Sequence, residues 1–118
     1  IKNKTVILNS NGEQERDFLT SQNFCHLINF FINNKTRYSV YNLASGSCLK
    51  VIDFVKLVLS RYKKITGIKI PLTISANPQP NHKYTIDISR ASSHNLKLLY
   101  THEEEIDMTL KYYLGIPI

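Results

Sequence analysis

The apolar positions of this chain change period several times, and each change marks an element. Thr5-Val-Ile-Leu-Asn9 is a short β-branched run closed by Ser-Asn-Gly, which predicts a strand and then a turn with Gly12 at positive φ. Glu15 to Leu19 reads as a second, short extended piece. From Ser21 the period becomes helical: Phe24, Leu27, Ile28 and Phe31 fall at i, i+3, i+4 and i+7, so the spacing predicts an amphipathic helix over Ser21 to Asn33. Cys25 falls within this pattern and is expected to behave as a small hydrophobe.

Arg37-Tyr-Ser-Val-Tyr-Asn-Leu43 alternates like a strand, and Ala44-Ser-Gly-Ser47 turns the chain. A second helix is predicted from about Lys50 to Lys64, with Val51, Phe54, Val55, Val58, Leu59 and Tyr62 on one face and Gly67 as the stop. Ile68 to Ile74 reads as a strand that Pro71 demotes to an edge or a broken strand. Pro78 and Pro80 make 76–81 a loop, Tyr84 to Ile86 a short strand, and Asp87 the cap of a short helix reaching about Leu96. Thr101-His-Glu-Glu104 fits a capping box, with carboxylates where the helix dipole favours them. Ile106, Leu110, Tyr113 and Leu114 are the expected buried stripe of that last helix, ended by Gly115 and Pro117. The sum is an α+β fold of short strands and three to four amphipathic helices.

Composition adds bounds. A chain of 118 residues, 42% hydrophobic and 20% charged, is globular and one domain at most. No apolar run approaches the roughly 20 residues of a membrane-spanning helix. The chain opens on Ile1 without a methionine and reads as a piece of something longer, with a cytoplasmic setting as the default. The net charge of +6 is spread over scattered lysines rather than a block, so a local basic site for phosphate is expected, not a nucleic-acid interface. Cys25 and Cys48, with His26, His82, His94 and His102, show no ligand spacing, and no metal is expected.

Four motifs in order carry more than the elements do. Arg16-Asp-Phe18 precedes the first helix, and Val40-Tyr-Asn-Leu-Ala-Ser-Gly46 precedes the second. Asn77-Pro-Gln-Pro-Asn-His-Lys83 leads into Asp87-Ile-Ser-Arg90, and the last capped helix carries Met108-Thr-Leu-Lys-Tyr-Tyr113. In this order they resemble the C-terminal, substrate-binding portion of extended short-chain dehydrogenases, the NAD-dependent epimerase/dehydratase family acting on nucleotide sugars. The resemblance runs from about Val6 to Tyr113.

It implies a small substrate-binding lobe, a single C-terminal domain over 1–118, whose parent carries an N-terminal Rossmann domain for NAD(P). This chain has neither the GxxGxxG motif nor a tyrosine followed four residues later by lysine, so no catalytic residue and no cofactor of its own are expected. The resemblance assigns the diphosphate of a nucleotide sugar to Arg16, whose planar fork matches phosphate oxygens, and places Phe18 in the same pocket. Lys83 falls where the family supplies a second cation, keeping the charge without the fork. Asp17 is expected to orient Arg16 or to accept backbone N–H groups, with Asn42 and Pro78 as structural support. The parent is expected to be a cytoplasmic homodimer, with no membrane or nucleic-acid partner, acting in surface-polysaccharide synthesis as an epimerase, dehydratase or reductase.

Two departures stand beside these matches. Leu19-Thr-Ser-Gln-Asn23 replaces the acidic helix entry of the family, leaving Thr20 or Ser21 to cap, and Gln79-Pro80 replaces a Gly-Asp. Ala44 stands for the usual glycine of the Asn42 turn, which implies negative φ there. A non-catalytic binding module of the same ancestry is the second reading. A small basic nucleic-acid-binding domain is the third.

Overall fold

The computed structural model describes residues 5–77 and 85–117. In chain order these residues form β1 (Val6–Leu8), β2 (Glu15–Asp17), α1 (Ser21–Asn33), β3 (Cys48–Lys50), α2 (Val51–Thr66), β4 (Leu72–Ile74), α3 (Ser89–Ser92) and α4 (His102–Leu114). Two small sheets result. β1 and β4 run parallel with Val6 opposite Leu72 and Leu8 opposite Ile74, while β2 and β3 run antiparallel with Arg16 opposite Leu49. The architecture is α+β.

The turn after β1 is set by Gly12 at φ 73, and its carbonyl accepts from the Ile52 amide at the start of α2, 3.0 Å away. A Cβ at Gly12 would lie 2.7 Å from the Ile52 Cβ, so the close approach admits only glycine. This contact seats the first turn of α2 under the β1–β2 connection. Thr20 caps α1 by accepting from the Asn23 amide, and α4 carries the full capping box between Thr101 and Glu104. α2 ends on Gly67 in the left-handed conformation, whose amide donates to the Lys63 carbonyl.

The helices pack through few side chains. Among the described residues, Leu27, Ala44, Ile52, Ala91 and Ile106 are the buried hydrophobic ones, and α2 and α4 are joined by the Arg61–Asp107 ion pair, with Arg61 Nε 2.6 Å from Asp107 Oδ1. Principal extents of 53 × 40 × 16 Å and a radius of gyration of 17.2 Å describe a slab rather than a ball. An isolated domain of this length has a radius of gyration of roughly 13–14 Å. Among the described residues no helix is long and apolar enough to cross a membrane.

Several expectations are corrected. Arg37 to Leu43 is irregular rather than a strand: the Tyr38 amide donates to the Tyr41 hydroxyl at 3.1 Å instead of to a neighbouring strand. The Tyr41 ring packs with Phe31, His94 and Tyr38, so the aromatic positions here serve ring packing rather than a sheet face. The strand beside β2 comes from Cys48–Lys50 instead. The short helix stops at Ser92, and Asn95 at φ 56 turns the chain before Leu96. Tyr113 is 81% exposed and Leu114 37%, so only Ile106 and Leu110 of the expected α4 stripe face inward. Cys25 is exposed on α1. Thr85 and Ile86 form no strand, and Tyr84 lies outside the described residues.

Candidate functional site

Strand alternation divides the Arg16-Asp17 pair. On β2, Glu15 and Asp17 share one face and Arg16 takes the other, where its side chain is exposed. The guanidinium donates from Nη1 to the Glu15 carbonyl at 2.7 Å, which holds the side chain along its own strand while leaving further N–H groups outward. An exposed, anchored guanidinium of this kind suits a bidentate oxyanion such as phosphate.

Asp17 serves the backbone. Its Oδ1 accepts from the Ser45 amide at 2.8 Å and its Oδ2 from the Gly46 amide at 3.0 Å, so the carboxylate closes the 44–47 loop onto β2. Gly46 sits at φ 77, and a Cβ there would meet the Ile88 Cδ1 at 2.5 Å. The glycine thus lets the loop press against the segment that enters α3. Asn42 extends the same tie, donating from Nδ2 to the Asp87 carbonyl at 2.9 Å. Asp87 in turn accepts from the Ser89 amide at 2.9 Å, and that hydrogen bond holds its carboxyl below the usual range. Asp17 and Asn42 therefore bring β2, the 44–47 loop and residues 85–88 together. Pro78 and Lys83 lie outside the described residues.

Phe18 is half-buried. Its ring stacks on Phe54 of α2 with centroids 4.0 Å apart and planes 3° from parallel, and its carbonyl accepts from His102 Nε2 at 2.6 Å. It also lines a cavity of about 280 Å³ with Thr20, Ser45, Ser47, Tyr100 and His102. Cys48, opposite Asp17, has its thiol pushed up by lost hydration and then by the Asp17 and Glu15 carboxylates. That shift works against thiolate chemistry.

Two residues stand out in the structure that the sequence pattern did not mark. Asn23 is 1% exposed, donating to the Tyr100 carbonyl at 2.7 Å and accepting from the Leu99 and Tyr100 amides at 2.7 and 3.0 Å. His102 ties the start of α4 to Phe18. The available signal for Asn23 was a polar residue next to Phe24 and one turn from Leu27, on the apolar side of α1. Among the described residues no three His, Cys, Asp or Glu side chains converge on a metal position.

Comparison with solved structures assigns the fold. RMD from Pseudomonas aeruginosa, complexed with NADPH, superposes with a TM-score of 0.74 at 15% identity, over 94% of this chain and 36% of its own. UDP-N-acetylglucosamine 4-epimerase from Methanobrevibacter ruminantium, in complex with UDP-N-acetylmuramic acid, gives 0.72 at 18% identity, over 95% and 35%. dTDP-glucose 4,6-dehydratase from Bacillus anthracis, in complex with NAD, gives 0.68 at 18%, over 95% and 35%. The chain shares the fold of the superposed part of these proteins and spans about a third of their length. No family model matches the sequence, and no curated protein matches it either.

Proposed function

We propose that residues 1–118 are the C-terminal substrate-binding domain of an NAD(P)-dependent enzyme that epimerises, dehydrates or reduces a nucleotide sugar. Arg16 contacts the diphosphate, Phe18 closes the pocket beside it, and Lys83 adds a second cation. The observation that carries this reading is the exposed Arg16 guanidinium on a strand whose opposite face is fixed by Asp17, in a fold shared with enzymes bound to UDP-sugars. A cation presented from a rigid support gives up little entropy on binding a phosphate.

The cofactor belongs to the parent. None of the motifs that cradle a dinucleotide occurs in this chain, so its residues supply no redox step and no proton transfer. Their work is to bind and orient. A thin slab with Ile7 and Ile74 exposed supports packing against another domain, in keeping with a chain that matches a third of its structural neighbours. The parent is then a cytoplasmic homodimer serving surface-polysaccharide synthesis.

The reading frame that encodes this segment tests the assignment. It should specify a GxxGxxG and a Tyr-x-x-x-Lys within about 150–200 residues upstream of Ile1, the span of one ordinary domain. A frame without either motif overturns the enzyme and leaves the binding module of the same ancestry.

A further inference from the structure

A groove of about 750 Å³ lies outside the Arg16 region, between one stripe of α2 and the segment entering β4. Lys56, Leu59 and Lys63 form the helical wall at i, i+3 and i+7, and Lys69, Ile70 and Leu72 form the other. Leu59, Ile70 and Leu72 are half-buried, while the three lysines are exposed. The ion pairs among the described residues are Lys50–Glu13 and Arg61–Asp107, so none of the three ammonium groups has a carboxylate partner there.

This distribution selects the occupant. Half-buried apolar side chains lined by three exposed cations attract a chain that is apolar toward the protein and anionic along its flanks. Lys56 and Lys63 are seven residues apart on one helix, a separation of about 10 Å, and Lys69 stands on the opposite wall. A fatty carboxylate has one anionic end and leaves cations at the other end unmatched. A membrane surface engages apolar side chains that protrude beyond the charges, the reverse of this arrangement.

We propose that the groove docks an acidic peptide segment of a partner protein. Its apolar side chains cover Leu59, Ile70 and Leu72, and its carboxylates, about 10 Å apart, meet Lys56 and Lys63 with a third near Lys69.

The test follows the methyl resonances of Leu59, Ile70 and Leu72 in the full chain as a capped peptide repeating glutamate-leucine-leucine, with carboxylates about 10 Å apart when extended, is added. A glutamate–serine peptide, a lysine–leucine peptide, dodecanoate and anionic phosphatidylglycerol vesicles serve as comparisons. The expected result is saturable shifts of those methyls with the glutamate–leucine peptide, weakened at least about tenfold in the folded K56E/K63E variant and by added salt. No shift with that peptide, or equal affinity in K56E/K63E, overturns the proposal. Tighter saturation of the same methyls by dodecanoate or by the vesicles also overturns it, in favour of a lipid ligand.

Discussion

The two small sheets of this chain are held in different ways. Around β2 and β3, side chains close the structure: Asp17 fixes the 44–47 loop, His102 holds the Phe18 carbonyl, and Asn23 fixes the entry to α4. Around β1 and β4 the ties are backbone to backbone, as in Val6 to Pro71 and Ser75 to Leu8, and Ile7 is 64% and Ile74 46% exposed. With five buried hydrophobic residues among those described, the slab takes its definition on the first side from satisfied polar groups rather than from core volume. The candidate phosphate contact stands on that side. The exposed Ile7 and Ile74 stand on the other.

The sharpest way to break this contrast is at Asn23. Asn23→Ala removes the partner of the Leu99 and Tyr100 amides and of the Tyr100 carbonyl, groups that water reaches in part because Leu99 is 58% and Tyr100 40% exposed. Denaturant melts should show a loss of about 2 kcal/mol, and an unchanged midpoint would remove the polar-lock account. Asp17→Ala should cost about 1–2 kcal/mol and expose the Ser45 and Gly46 amides to hydrogen exchange, with Asp17→Asn costing less because one acceptor survives.

Arg61→Ala comes next, at about 1 kcal/mol, since the Arg61–Asp107 pair is partly exposed. Its partner supplies a pH signature. The Arg61 hydrogen bond holds the Asp107 carboxyl below its ordinary value, so the stabilisation is complete above the unfolded value, near 4. It is lost as pH falls through the lower, folded value. Stability measured from pH 7 to pH 2 should fall less steeply below pH 4 in Arg61→Ala than in the parent sequence. The smallest effect belongs to the other sheet: Ile74→Ser should change the melt of this chain by less than about 0.5 kcal/mol, because Ile74 is already 46% exposed. A loss approaching that of Asn23→Ala would show that the two sheets are held alike.

What could be read in advance divides along the same line. The limits of α1, α2 and α4 were legible, because a 3.6-residue period, a Gly67 stop and a Thr101–Glu104 capping box are local signals. The strand expected over 37–43 is absent because Tyr41 packs its ring against Phe31 of α1 and His94 while Val40 is exposed, so the apolar positions do not share one pleated face. Tyr113 on α4 was misplaced since helical period marks an apolar face without saying what covers it. At the site, Arg16 and Asp17 could be singled out as neighbouring charges, but their opposite faces depend on β2 having Cys48–Lys50 as partner, a pairing between distant segments. Asn23 was passed over for the same reason: its partners lie more than 70 residues away.

The central claim is that Arg16 of a nucleotide-sugar enzyme grips a diphosphate. Calorimetric titration of the intact parent protein with UDP-, GDP-, CDP- and dTDP-sugars, in parallel for the native sequence and Arg16→Ala, tests it most directly. One sugar nucleotide should bind the native protein, and Arg16→Ala should weaken it by about 1.5–3 kcal/mol, at least tenfold, while the melt shifts by under about 0.5 kcal/mol. Equal affinity of the two proteins for that nucleotide, with both folded, would contradict it.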